Sequence, residues 1–129
     1  MDFIGAIKNG FRNYASASGR ASRSEYWYWT LFSTLVAVAG AAIDAAIFGV
    51  ESDRQLFSAL CSLALIVPDT AVAIRRLHDL DRKWPWLLIF FTGIGLIVLL
   101  VWFCRKGTTG PNRFGDDPLA ADDAALAIR

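Results

Sequence analysis

Three long windows of this chain are almost free of charge, and that segregation limits the folds open to it more than any other feature. Trp27 to Val50 contains only Asp44, Leu56 to Ile74 only Asp69, and Trp84 to Cys104 no charged residue; the windows measure 24, 19 and 21 residues, 64 of the 129 positions. A soluble domain of this length spreads charge over its whole surface. A helix crossing about 30 Å of hydrocarbon needs about 20 mainly apolar residues. The third window, WPWLLIFFTGIGLIVLLVWFC, shows only Thr92 and two glycines where a soluble helix carries a polar stripe. Pro68 and Asp69 interrupt the second, which leaves a buried soluble helix or a re-entrant segment as its alternative reading. The pattern predicts an all-α, polytopic membrane protein with three transmembrane helices, at about 26–50, 56–74 and 84–104. Ala37-Val38-Ala39 has the small-x-small form of a signal-peptidase site, but polar chain precedes the apolar run and the run continues to Val50, so a retained span is expected.

Basic residues in short loops stay on the cytoplasmic side during insertion. Lys8, Arg12, Arg20 and Arg23 precede the first window, Arg54 follows it, Arg75, Arg76, Arg82 and Lys83 follow the second, and Arg105, Lys106, Arg113 and Arg129 follow the third. With three spans and the N-terminus inside, eight basic residues lie inside and five outside, which favours a cytoplasmic N-terminus. The seven ionisable residues between Arg75 and Lys83 then form the inner turn between spans two and three, with Trp84 and Trp86 as interfacial anchors. Arg105 and Lys106 fall on the outer side in this arrangement, a conflict that disappears if the second window does not cross.

Phe3, Ile4, Ile7, Phe11 and Tyr14 recur at helical spacing and predict an amphipathic interfacial helix over about 2–15, lying along the inner leaflet or packed on the spans themselves. Ser22 and Glu25 have capping-box spacing, Gly19 permits the turn before it, and Tyr26, Trp27 and Trp29 are expected as an interfacial belt. Arg20, Arg23, Glu25, Arg75, Arg76, His78 and Asp79 share one membrane face in this topology, as a charge network or as independent solvated charges. The segment 105–118 is turn-forming, and 119–129 is a polar tail that forms a short helix or stays disordered.

Charged residues inside spans are costly, on the order of 3 kcal/mol at the centre. Asp44 and Asp69 fall at different depths, so a paired-carboxylate proton site is not expected, and Asp69 is expected to snorkel toward Arg75 and Arg76. Ala37, Ala41, Ala45 and Gly49 make a small-residue seam for another helix, in the same subunit or a second one. Cys61 and Cys104 lack metal or redox spacing and are expected in the outer half, buried as small apolar groups or disulfide-bonded in an oxidising compartment.

No phosphate loop, metal-ligand spacing or nucleophile elbow occurs. His78, the single histidine, stands beside Asp79, a carboxylate that can orient a proton donor. Asp116 and Asp117 lack the rest of a calcium loop. A net charge of +1 argues against nucleic acid. The three motifs GRASRSEYWYW, RRLHDLDRKWPW and PNRFGDDP, in this order and separated by apolar spans, resemble the bacterial domain of unknown function 805 over about residues 3 to 118. The resemblance implies a bacterial inner-membrane protein without established activity, with motif positions Gly19, Arg20, Arg23, Glu25, Tyr26, Trp27, Arg75, Arg76, Leu77, His78, Asp79, Asn112, Phe114, Gly115, Asp117 and Pro118. The expectation is a lipid- or partner-binding assembly module without cofactor or metal, its inner-face arginines engaging anionic headgroups. A subunit of an oligomeric transporter or channel using Asp44 and the small-residue seam is the alternative, and a membrane-embedded enzyme using His78 and Asp79 a third; a homo-oligomer or a membrane-protein partner is open in either case. In the three-span topology the third motif lies opposite the other two.

Overall fold

The computed structural model describes residues 2–119. Its elements are all helical: α1 (Phe3–Arg12), α2 (Arg23–Phe48), α3 (Leu56–Asp79), a 3₁₀ helix η1 (Trp84–Phe91) and α4 (Gly93–Cys104). The polar tail beyond Leu119 lies outside the described residues.

Two helices, α2 and α3, are long and apolar enough to cross a membrane. Each runs past its apolar window at the motif end, α2 starting four residues earlier and α3 ending five residues later, because the charged motif residues are built into the helix ends at Arg23 and Asp79. Ser22 caps α2 by accepting from the Glu25 N–H at 3.3 Å. Glu25 does not return the reciprocal bond of a capping box: its carboxylate turns to α3 and accepts from Arg75 at 2.8 Å. At the other end of the pair Asp44 caps α3 from outside, its two oxygens taking the N–H groups of Phe57 and Ser58 at 2.8 and 2.9 Å. Four N–H groups at a helix start have no partner within the helix, and Gln55, the α3 cap residue, makes no side-chain bond to them. Asp44 is accordingly buried at 4% exposure.

Trp29, Leu65 and Val72 form the core between α2 and α3, so Trp29 is a core residue at 1% exposure rather than an interfacial anchor. The helices approach closely at Gly40, where a Cβ would press on the Phe57 backbone. Ala37, Ala41 and Gly49 face outward, so the seam read from the sequence does not join α2 to α3. Cys61 sits against Gly40, whereas Cys104 ends α4 beside Arg23; both thiols are free, and the two do not share one half of the bundle as expected.

Helix α1 packs on α2. Ala6 is fully buried, Gly10 presses on the Trp29 indole, and Phe11 meets the Trp29 and Phe32 rings edge-on. Ile4 and Lys8 stay exposed on its outer side. Just beyond it, the Tyr14 hydroxyl donates to the Ala64 carbonyl in mid-α3. That carbonyl is the one left without a helical partner by Pro68, four residues on, which has no N–H. In an apolar surrounding an unpaired carbonyl is costly, and a tyrosine from another segment satisfies it.

The 84–104 window departs most from expectation. It is no continuous helix but a hairpin. Thr92 leaves helical geometry (φ −99°, ψ 141°) and caps α4 by accepting from the Gly95 N–H at 2.9 Å. At Gly95 a Cβ would collide with the Ile89 carbonyl, so only glycine fits the fold-back. Trp86 meets Trp102 at 5.6 Å between ring centroids, and Leu87 and Ile89 pack around Leu99 and Phe103. Trp84 and Cys104 therefore lie at the same end. With eight residues at about 2 Å rise, η1 reaches about 16 Å, roughly half of a hydrocarbon core. The tail after α4 consequently runs beside the start of α2 and the end of α3, correcting the expectation that it lies opposite the first two motifs.

A buried three-motif cluster and an apolar cleft

The three motifs meet at this end. Helix α3 stops in a Schellman turn: Arg82 N–H reaches the Leu77 carbonyl, Asp81 N–H the His78 carbonyl, each at 2.9 Å, and Asp81 takes the left-handed conformation (φ 58°). The turn points the last side chains of α3 inward, and Arg75, Arg76, His78 and Asp79 are all at or below 9% exposure.

Asp79 is the centre. One carboxylate oxygen accepts from Arg20 Nε at 3.0 Å, the other from Arg76 Nη1 at 2.5 Å. Its main-chain carbonyl takes the Thr108 N–H at 2.7 Å, and a Cβ on Gly107 would occupy its carboxylate. Arg20 spends its remaining donors on the tail, reaching the carbonyls of Thr108, Gly110 (2.7 Å) and Gly115 (3.4 Å). Fully buried Arg76 spends its own on the end of α4, donating to Phe103 O from Nε and Nη2 (3.4 and 3.3 Å) and to Arg105 O. Trp27 Nε1 and Arg23 add bonds to Phe103 O and Cys104 O at 3.1 and 3.2 Å. The final carbonyls of a helix lack partners and carry partial negative charge. Three donor side chains from α2 and α3 thus cap α4.

A second pair, Glu25 and Arg75, lies under α1, where Asn9 also donates to Glu25. Arg75 Nε and Nη2 are buried without an acceptor among the described residues. His78 does not pair with Asp79. Its Nδ1 lies 2.8 Å from the Gly19 carbonyl, which can only accept, so Nδ1 carries the proton and Nε2 the lone pair. The ring stacks on Phe114 at 3.9 Å and 1°. Asn112 donates to the His78 carbonyl at 2.8 Å and closes a small loop with Gly115. Asp117 accepts the N–H groups of Leu119 and Gly110, each at 2.9 Å, which holds its carboxyl below the usual carboxylate range. Pro118 follows on the exposed side.

Of the arginines expected to face headgroups, Arg20, Arg75 and Arg76 are buried in the cluster and Arg23 is exposed. The exposed cations outside the α2–α3 connection are Lys8 and Arg12 on α1 together with Arg23, Lys83, Arg105, Lys106 and Arg113, with Arg82 half-buried over the Trp102 ring at 4.0 Å. Trp84 and Trp86 are exposed beside them. Tyr26 and Trp27 are half-buried against Phe103 instead. Sequence reading missed Asn9, Tyr14, Gly107, Thr108 and Gly110; Pro68 was the one available signal, since it announces an unpaired carbonyl. Among the described residues no group of three or more His, Cys, Asp and Glu side chains comes together as a metal site.

A second polar feature lies deeper. Asp69 does not reach the arginines. Trp29 Nε1 donates to one of its oxygens at 2.7 Å and the Ser33 hydroxyl to the other at 3.1 Å, both from α2. Asp69 also lines three neighbouring cavities. The largest, of about 540 Å³, lies between α2, α3 and the hairpin and is walled by Tyr26, Leu99, Phe90, Phe91 and Phe103. The others, of about 390 and 210 Å³, follow the α2–α3 groove along Thr34 and Ser33.

Known proteins resemble the chain in sequence. The chain is 47% identical to the inner membrane protein YhaI of Escherichia coli over 108 residues, 83% of this chain and 89% of that one. It is 34% identical to the inner membrane protein YhaH of the same organism over 109 residues, covering 83% and 90%. No solved structure matches it. The family described as protein of unknown function (DUF805) matches residues 14–116, from the tyrosine that satisfies the α3 carbonyl to the end of the clamped tail loop, and the chain belongs to that family.

Proposed function

We propose that the chain is an inner-membrane protein that crosses twice, through α2 and α3, with α1, the hairpin entrance and the tail on the cytoplasmic side. On this reading it is a binding and assembly module whose cationic rim engages anionic headgroups. One observation carries it. Of the twelve lysines and arginines in residues 2–119, Arg54 alone lies in the connection between α2 and α3, and the other eleven fall at or before the start of α2 or from the last turns of α3 onward. Three full crossings divide the charges eight to five, whereas two crossings and a re-entrant hairpin remove the conflict at Arg105 and Lys106. Each Lys or Arg near an anionic surface contributes about 1 kcal/mol, and seven cations are exposed on the segments outside the α2–α3 connection. Buried Arg20, Arg75 and Arg76 act instead as the frame that holds the rim. The alternative transport reading loses Asp44, which is occupied in capping α3.

Brominated lipids test this reading, because bromine quenches nearby tryptophan and Trp84, Trp86 and Trp102 flank the rim. Protein reconstituted in brominated phosphatidylglycerol mixed with plain phosphatidylcholine should be quenched several-fold more than the bulk lipid ratio predicts. The excess should fall on adding salt and in a Lys83→Gln, Arg105→Gln, Lys106→Gln variant. Quenching that follows the bulk ratio in the wild-type protein would overturn it.

A further inference from the structure

We infer that the cleft around Asp69 is a binding site for a lipophilic monovalent cation, an organic ammonium or phosphonium carrying apolar substituents. Asp69 lies ten residues before Asp79, about 15 Å along α3 from the polar cluster, and so near the middle of a hydrocarbon core of about 30 Å. A carboxylate at that depth calls for a partner. Every other carboxylate within the two long helices has one that explains its position: Glu25 has Arg75, Asp79 has Arg20 and Arg76, and Asp44 has the α3 N-terminus. Asp69 enters none of the ion pairs among the described residues. Its two donors, Trp29 and Ser33, are neutral; they fix its orientation and bring no compensating charge.

The cleft beside it selects the kind of cation. Its 540 Å³ accommodates a drug-sized organic molecule, far more than a bare ion requires. Four of its walls are the aromatic rings of Tyr26, Phe90, Phe91 and Phe103, whose faces attract cations. The remaining wall is mainly aliphatic, so a dehydrated calcium or magnesium ion, which takes six or more oxygen ligands, finds too few here. One carboxylate set in an aromatic and aliphatic cavity matches a delocalised or shielded positive charge on an apolar body.

The test uses full-length protein in nanodiscs and radiolabelled tetraphenylphosphonium as the probe, with empty nanodiscs subtracted. Wild-type protein should show saturable binding that neutral tetraphenylmethane does not displace. Asp69→Asn should weaken it at least tenfold, with helicity by circular dichroism unchanged. Phe91→Ala, at a residue 83% exposed and remote from the α2–α3 contact, should weaken it several-fold and serves if Asp69→Asn does not fold. Absence of saturable binding, equal displacement by the neutral analogue, or unchanged affinity in both variants would overturn the inference.

Discussion

Replacing Arg76 by leucine and by lysine separates the two jobs of the side chain, holding Asp79 and capping α4. Arg76 is fully buried, and its partner Asp79 is 3% exposed. Removing one partner of a buried ion pair leaves the other charge uncompensated and costs about 3–5 kcal/mol. Asp79 keeps Arg20 at 2.9 Å in the leucine variant, so the lower half of that range is expected from the pair alone. The Arg105 carbonyl has Arg76 as its side-chain donor, whereas Phe103 O keeps Trp27 Nε1 at 3.1 Å. One orphaned carbonyl adds about 1–3 kcal/mol. Arg76→Leu should therefore lose about 4–7 kcal/mol, a large share of the 5–15 kcal/mol typical of a folded protein. Arg76→Lys keeps a point charge for Asp79 but cannot span to α4, so about 1–3 kcal/mol should be lost. The assay is reversible unfolding by sodium dodecyl sulfate titration in mixed micelles, read by tryptophan fluorescence, with hydrogen exchange at residues 99–104 as the local probe. A leucine variant within 1 kcal/mol of wild type, or a lysine variant as damaged as leucine with no change in exchange at the α4 end, would refute the reasoning.

Other expectations follow from the same geometry. Single cysteines at Ser52, Asp81 and Thr109, with Cys61 and Cys104 replaced, should divide one against two in intact cells, Ser52 labelled from outside and the others protected; labelling at Thr109 would restore three crossings. Tyr14→Phe should cost about 1 kcal/mol in the same unfolding assay by freeing the Ala64 carbonyl, and no loss would show that carbonyl to be satisfied otherwise. Asp44→Ala should cost about 1–2 kcal/mol, the ordinary value of a helix cap, while leaving phosphonium binding intact. The depressed Asp117 carboxyl makes the tail loop acid-sensitive: its contribution is present above the ordinary carboxylate value and is lost as pH falls through the lower folded value. Hydrogen exchange at Gly110 should accelerate there, and Asp117→Asn should remove the pH dependence.

Length and hydropathy were enough to read α2 and α3 as spanning helices, and Ser22 as the cap of the first, because both depend on residues close in sequence. The hairpin was signalled only weakly. Thr92, Gly93 and Gly95 stand in the window, but an apolar run with isolated small residues reads as a helix until the energy of Phe103 packing beside Leu77 and Leu87 is included. Asp44 illustrates the same limit from the polar side. Its cost in a span was evident from the sequence, whereas its payoff, two N–H groups thirteen and fourteen residues away, depends on where α3 begins relative to α2.

By itself, the sequence determined an all-helical membrane-type chain, its family, and which ionisable residues cluster along it, since each follows from local composition and order. The tertiary structure decided how those charges are used. Whether an arginine faces lipid or caps a helix depends on which carbonyls come within hydrogen-bond reach of it, and those belong to Thr108, Gly110 and Phe103, residues 27 to 90 positions away along the chain. One fold-back at Thr92 brings them there, setting the side on which the tail lies and leaving Asp69 as the carboxylate of the cleft.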